Sequence, residues 1–282
     1  MTITESAPAA LARPVRAPGT LRLGLARGGI EIKQFFRARD AVVFNFALPA
    51  VLMVLFATIF KDRIPDAGGV TVSQLYVAAM IAAGLMTTSF SSLAIGIAQE
   101  RDEGTLRRLR GMPMPRASYF IGKVLLVLVT GVSETVVLLI VGVSFYHLHL
   151  PGSALKWFDF AWVFLLGLTA CTLTGIAASS VPRNAKSAAP VIQLPFLVLQ
   201  FISGIYIAVN TIPKGLLAVG AWFPLKWMAQ GFRGVFLPDA AKSLEAAHAW
   251  EYGRIAMVLG AWCVVGLLLC LTTFRWKTRR DG

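Results

Sequence analysis

The chain has 282 residues, of which 56% are hydrophobic and only 15% charged, with a mean hydropathy of +0.69. Such proportions exclude a water-soluble globule. The formal charge of +13 does not point to nucleic acid either, because the basic residues fall in short segments separated by long uncharged runs.

Residues 1–19 are rich in Ala and Pro, contain Glu5 and lack an apolar core, which predicts a disordered tail rather than a signal peptide. From residue 20 to 40 the apolar residues Leu21, Leu25, Ile32 and Phe36 recur at helical spacing, with Gly28 and Gly29 on the same stripe and Arg22, Lys33 and Arg37 off it. This pattern predicts an amphipathic helix lying in the membrane interface, a soluble linker helix being the alternative. Six runs then reach the roughly 20 residues at about 1.5 Å each that a bilayer core requires. They are residues 42–60, which include Pro49, then 67–99, 124–146, 160–181, 187–213 and 255–274. The expected fold is an all-α membrane protein with a six-span domain over residues 41–276 and a short tail at 277–282. Residues 215–225 are too few to cross and contain Pro224, so a re-entrant extracellular segment is expected before the last helix.

With the N-terminus in the cytoplasm, 19 Lys and Arg fall on inner segments and 8 on outer ones. That bias predicts both termini inside. Cys171, Cys263 and Cys270 lie within expected spans, where packing is their ordinary role. His147 and His149 are two ligands without a third, a pattern of interfacial anchors rather than a metal site.

Between the second and third spans lies the charged stretch Glu100-Arg-Asp-Glu-Gly-Thr-Leu-Arg-Arg-Leu-Arg110. Glu103 and Arg107 stand four apart, as a helical ion pair would. Leu106 and Leu109 share one side, and Pro113 and Pro115 end the segment. Such a helix suits docking into a groove on a soluble partner, or else it is a lipid-facing turn; Gly104 allows a bend instead. Polar positions inside the spans are the candidate pathway. Thr88, Ser92 and Gly96 repeat every four residues, a spacing that serves either close packing or a pathway. Gln193, Gln200 and Ser203 share a stripe near Pro190 and Pro195, which lines a cavity or bonds across to another helix. Glu134 is the only charge-capable group inside any expected span, so it must face protein or water. It could meet a cationic substrate, pass protons or bond to neighbouring hydroxyls. Arg233, near the outer end, requires a partner that spacing does not reveal.

These features in order resemble the permease subunit of type-2 ABC exporters, over about residues 20–280. The residues that carry the likeness are Arg39 and Asp40 before the first span and Pro49 within it. They continue with Glu100, Gly104, Thr105, Leu106 and Pro113 in the charged loop, then Ser203-Gly204, Ile212-Pro213, Phe223-Pro224 and Arg233. The last group is most like the drug-export branch. The resemblance implies that Glu100, Arg101, Glu103, Gly104, Thr105, Leu106, Arg107 and Pro113 form a coupling helix for a separate ABC ATPase. It also implies that Pro213, Phe223, Pro224 and Arg233 belong to an extracellular gate. It further implies a bacterial cell membrane location, a homodimer with two ATPase copies, and a small hydrophobic or amphiphilic substrate. A lipid-linked polysaccharide exporter or a secondary transporter is the alternative. The chain has no phosphate-binding loop: the nearest approach puts Ala117 at the first glycine and Val124 at the hydroxyl position around Gly122-Lys123. ATP and magnesium are therefore expected in the partner, and no cofactor in this chain. A membrane enzyme is disfavoured, since the acidic residues gather only in the charged loop, without His or a metal-binding pattern.

Overall fold

The computed structural model describes residues 19–60, 64, 68–112, 114–207 and 209–274. The expected tails at 1–19 and 277–282, apart from Gly19, and Pro113 of the charged loop lie outside the described residues. Within them the regular structure is all helical, without strands.

Helix α1, Thr20–Arg37, ends at Ala38, and α2, Arg39–Ile59, starts at once with Pro49 inside it. A capping box between Thr71 and Gln74 opens α3, Val72–Met86. It runs through a π-helical turn at Thr87–Ser92 into α4, Leu93–Asp102. A short α5, Thr105–Arg110, precedes α6, Arg116–Tyr146. Ser153 caps α7, Ala154–Ala178, and an Asn184–Ser187 capping box opens α8, Ala185–Ile202. Then come α9, Lys214–Gly220, and α10, Pro224–Phe236, whose proline stands at the first turn, where no amide donor is needed. The last is α11, Tyr252–Thr273.

Among the described residues five helical stretches are long and apolar enough to cross a bilayer: Val72–Asp102, Arg116–Tyr146, Ala154–Ala178, Ala185–Ile202 and Tyr252–Thr273. Helix α2 has 21 residues and no charged side chain after Asp40, and Asn45–Ile59 is its apolar stretch among the described residues. The run at 187–213 is not one helix. It stops at Ile202 because Gly204 turns the backbone to φ 75°, and a 3-10 turn, Val209–Thr211, follows. At the other extreme α6 starts well before its apolar run and takes Lys123 into the helix, where carboxylates compensate the charge.

The α3–α4 rod is the central post. Its most apolar stretch is 72% buried against 17% for α11, and α2, α6, α7 and α10 pack around it. Helix α11 lies on α7, α8 on α4, and α1 on α6. The outward faces of α6, α8 and α11 carry exposed Val, Leu and Ile, which suits a hydrocarbon surround rather than water.

The α1–α6 contact depends on glycine. A Cβ at Gly24 would come 2.6 Å from Ile121, and one at Gly28 would come 2.7 Å from Leu125. Small residues let the two backbones approach. Gly28 therefore faces α6 rather than sharing the lipid stripe, and Gly29 is exposed. Leu21, Leu25 and Phe36 remain exposed, as an interfacial apolar face requires.

Candidate functional site

One end of the bundle collects α1, α5, the ends of α4 and α7 and the starts of α6 and α8; we call it the basic end. There Lys123 Nζ lies 2.5 Å from Glu100 and 3.1 Å from Glu31, while Arg27 pairs with Glu31 at 2.9 Å. The Tyr119 hydroxyl donates to Glu100 at 2.8 Å, and Arg27 and Lys123 both lie over its ring, at 5.3 and 5.4 Å from the centroid. Burial pushes the Glu31 carboxyl up, outweighing the opposing pull of Lys123 and Arg27, and the nearby Glu100 adds to the rise.

The charged segment follows directly. Helix α4 stops after Asp102, Gly104 takes φ 78°, and α5 restarts at Thr105. A left-handed glycine separates Glu103 from Arg107, so the four-residue spacing is not that of one continuous helix, and the bend allowed by Gly104 is what forms. Leu106 and Leu109 are buried in the protein's own core, so the apolar side they form is not open to a partner. What faces outward instead is charge: Asp102, Glu103, Arg107 and Arg108 are exposed, and Thr105 is half-buried. Arg101, by contrast, is buried and donates to the Pro182 carbonyl at 3.1 Å. Asp102 accepts from the Ala185 amide at 3.0 Å.

Next to the Lys123 cluster opens a cavity of about 390 Å³ between α1, α2, the α3–α4 rod and α6. Glu31, Glu100 and Lys123 line its polar end, and Asn45, Thr88, Ser92 and Thr130 continue the polar lining. Ser92 donates to Asn45 at 2.6 Å. A Cβ at Gly96 would meet nothing within 4 Å, so the Thr88, Ser92, Gly96 stripe does not serve close packing at that position. The π-turn widens the helix here. Thr87 and Ser89 hydroxyls return to the carbonyls of Ala83 and Leu85, at 2.8 and 2.6 Å, as expected where the regular ladder is interrupted.

Glu134 is buried and receives the Thr88 hydroxyl on Oε2. Its partner is thus on another helix, while the adjacent Ser133 bonds to Val129. The other carboxyl oxygen faces Gly84, where an added Cβ would lie 2.7 Å away, and has no hydrogen-bond partner among the described residues. Glu134→Gln keeps an acceptor for Thr88, whereas Glu134→Leu removes it at a cost of about 1–3 kcal/mol. Thermal unfolding in detergent should therefore rank wild type above Gln and Gln above Leu. Equal midpoints for Gln and Leu would show that the Thr88 contact contributes nothing.

The α8 stripe divides. Gln200 is buried and accepts from the Tyr206 hydroxyl, whereas Gln193 is exposed on the face of α8 turned away from the bundle. Ser203 is buried, and its hydroxyl has no hydrogen-bond partner among the described residues. Tyr206 also stacks on Phe56, with centroids 5.4 Å apart, and its carbonyl accepts from Tyr76 at 2.9 Å.

At the opposite end of the bundle, Pro213 precedes α9 and is exposed. Phe223 stacks on Trp262 of α11 at 6.0 Å, and Pro224 opens α10, every residue of which is buried. Arg233 finds the partner that spacing could not reveal. Its Nε lies 2.6 Å from Glu245, and its Nη1 donates to the Gly204 carbonyl at 3.4 Å. Glu245 lies twelve residues further on, beyond a 3-10 turn, so no helical period links the two. Lys226 sits 3.9 Å over the Trp227 ring, and burial holds its ammonium below the usual lysine range. No three His, Cys, Asp or Glu gather closely enough to hold a metal among the described residues.

The family model described as ABC-2 type transporter matches residues 29–237. YvfS of Bacillus subtilis (strain 168), named as a transport permease, is 22% identical over 198 residues, which cover 69% of this chain and 77% of that protein. YbhR of Escherichia coli (strain K12), named as a multidrug ABC transporter permease, is 23% identical over 168 residues, or 60% of this chain. That match spans 45% of YbhR, less than half its length.

Proposed function

Since the chain belongs to the ABC-2 type transporter permease family, we propose that it forms half of a homodimeric exporter driven by two separate ABC ATPase subunits. It is a multi-pass membrane protein, and the basic end is taken as cytoplasmic from the 19 to 8 distribution of Lys and Arg. On this reading α2 supplies the sixth crossing, and α9 with α10 forms the re-entrant outer segment in which Pro213, Phe223, Pro224 and Arg233 act as a gate. ATP and magnesium bind in the ATPase.

The observation that carries the proposal is the charged segment. Glu103, Arg107 and Arg108 project from it, while its root is held on one side by Tyr119 and Lys123 and on the other by the α7–α8 turn. A rigidly rooted, outwardly charged projection can receive a push from a soluble subunit. The exposed face of α8 supports the homodimer: Gln193 lies there among Leu194, Leu197 and Val198, and a primary amide is better placed against a second copy or a pathway than in lipid. The polar cavity with an apolar wall of Phe35, Leu93, Ile95, Leu126 and Val127 favours a small amphiphilic substrate.

Affinity purification of the tagged chain should recover an ATPase whose activity depends on the permease. Glu103→Arg, which reverses an exposed charge, should abolish recovery or uncouple hydrolysis from transport while leaving the unfolding free energy within about 0.5 kcal/mol of wild type, as for other surface changes. Uphill transport by the chain alone in vesicles would overturn the reading in favour of a secondary carrier.

A further inference from the structure

The α7–α8 turn is hydrogen-bonded to the charged segment through backbone atoms of the turn. The buried Arg101 donates from Nη2 to the Pro182 carbonyl at 3.1 Å, and Asp102 accepts from the Ala185 amide at 3.0 Å. Ala185 is the first residue of α8. Its amide is one of the helix-end donors that no intrahelical carbonyl can satisfy. The Asn184 side chain already serves the Ser187 amide at 2.9 Å, so Asp102 takes a second, neighbouring donor. A carboxylate at that position also meets the positive end of the helix dipole. The start of α8 is thus capped partly from within its own sequence and partly by the last residue of α4, 83 positions upstream. Further along, α8 packs on α4 and also meets α9 and the π-turn. Its outward face is bare from Ala189 to Val198 apart from Ile192 and Phe196.

We propose that Arg101 and Asp102 latch the charged segment to the first turn of α8, so that a displacement of residues 100–110 carries α8 with it. Asp102 is then a positioning residue, and the helix that bears Gln193 and Gln200 is the one it drives. This rests on the coupling role proposed above. A turn held through backbone atoms transmits force without regard to its side chains, which suits an element whose exposed Arg183 and Lys186 are left available. The contact does not need to be strong, because α4 and α8 are packed side by side beyond it; it needs only to prevent shear at the point where the push arrives.

The test uses the permease–ATPase complex in lipid nanodiscs, in a background with the three native cysteines replaced by alanine. Spin labels at the exposed Met112→Cys, just beyond the charged segment, and at Lys186→Cys report the separation across the latch. Without the lesion that separation should be the same in the nucleotide-free and vanadate-trapped states, because the two elements move together. With Asp102→Ala it should change on trapping, the fraction of separated molecules rising roughly fivefold, the factor carried by one hydrogen bond of ordinary net strength. Asp102→Asn keeps a carbonyl acceptor and should restore the invariant distance. A purely structural role would broaden the distance equally in both nucleotide states. In a second experiment, a disulfide between Asp102→Cys and Ala185→Cys should leave permease-dependent ATP hydrolysis intact. Hydrolysis lost on oxidation and regained on reduction would overturn the latch, as would an unlesioned complex whose distance already changes with nucleotide. Failure of the unlesioned chain to recover any ATPase would remove the coupling role itself and the latch with it.

Discussion

Arg233→Met is expected to lower stability by about 3–5 kcal/mol, the cost of breaking a buried ion pair from one side. Arg233 is 1% exposed and Glu245 3% exposed, with 2.6 Å between them. Removing the guanidinium leaves a carboxylate in a site closed to water, and it also takes a donor from the Gly204 carbonyl. The penalty belongs to the abandoned charge rather than to the pair, so Arg233→Met with Glu245→Leu should recover most of the loss. Unfolding midpoints of the two single variants and the double variant in one detergent would decide this. A double variant as unstable as the worse single one would mean that the site depends on the pair's geometry. The physical consequence is specific to α10. Arg233 ties its last turn both to the segment beyond it and to the end of α8, so losing it should free the outer segment proposed as a gate.

Lys123→Met should be nearly as damaging, about 3 kcal/mol or more, because one ammonium serves two carboxylates. Glu31 is buried and the Glu100 side chain is only a quarter exposed, so the variant would leave two like charges facing each other at the root of the charged segment. Acid should rescue it. A carboxyl raised by burial, as Glu31 is, contributes most below its ordinary value of 4.5, and that contribution is lost as pH climbs through the raised folded value. The stability gap between wild type and Lys123→Met should therefore narrow as pH falls from neutrality toward 4.5, since protonation removes the repulsion. Adding Glu31→Gln to Lys123→Met should close part of the gap at neutral pH. A gap that stays constant with pH would show that Lys123 acts through packing against Tyr119 rather than through charge.

Parts of the candidate site were legible in the sequence in outline but not in orientation. The helical period of residues 20–40 puts Leu21, Leu25, Ile32, Phe36 and Gly28 on one stripe, yet only Leu21, Leu25 and Phe36 are exposed and Gly28 meets Leu125, because a glycine's place is decided by what approaches it. Leu106 and Leu109 share one side, as their spacing requires, but that side faces inward. Periodicity tells that two residues are neighbours and says nothing about which surface they meet. Gln193 and Gln200 are similar: seven residues put them on one stripe, and the turn at Gly204 folds Tyr206 back over Gln200 alone.

From the residue order alone came the long apolar runs, a first helix with apolar residues on one stripe, the charged loop and the lack of a phosphate-binding loop. A segment in hydrocarbon must satisfy its backbone internally, which makes crossing a local property of consecutive residues. Pairings were left to the tertiary structure. Lys123 meets Glu31 and Glu100, Thr88 meets Glu134, Arg233 meets Glu245 and Asp102 meets Ala185 only once the helices have taken their relative height and rotation. Those are set by close packing at points such as Gly24, Gly28 and Gly84, where the room for a side chain depends on the neighbouring helix and on nothing in the local sequence.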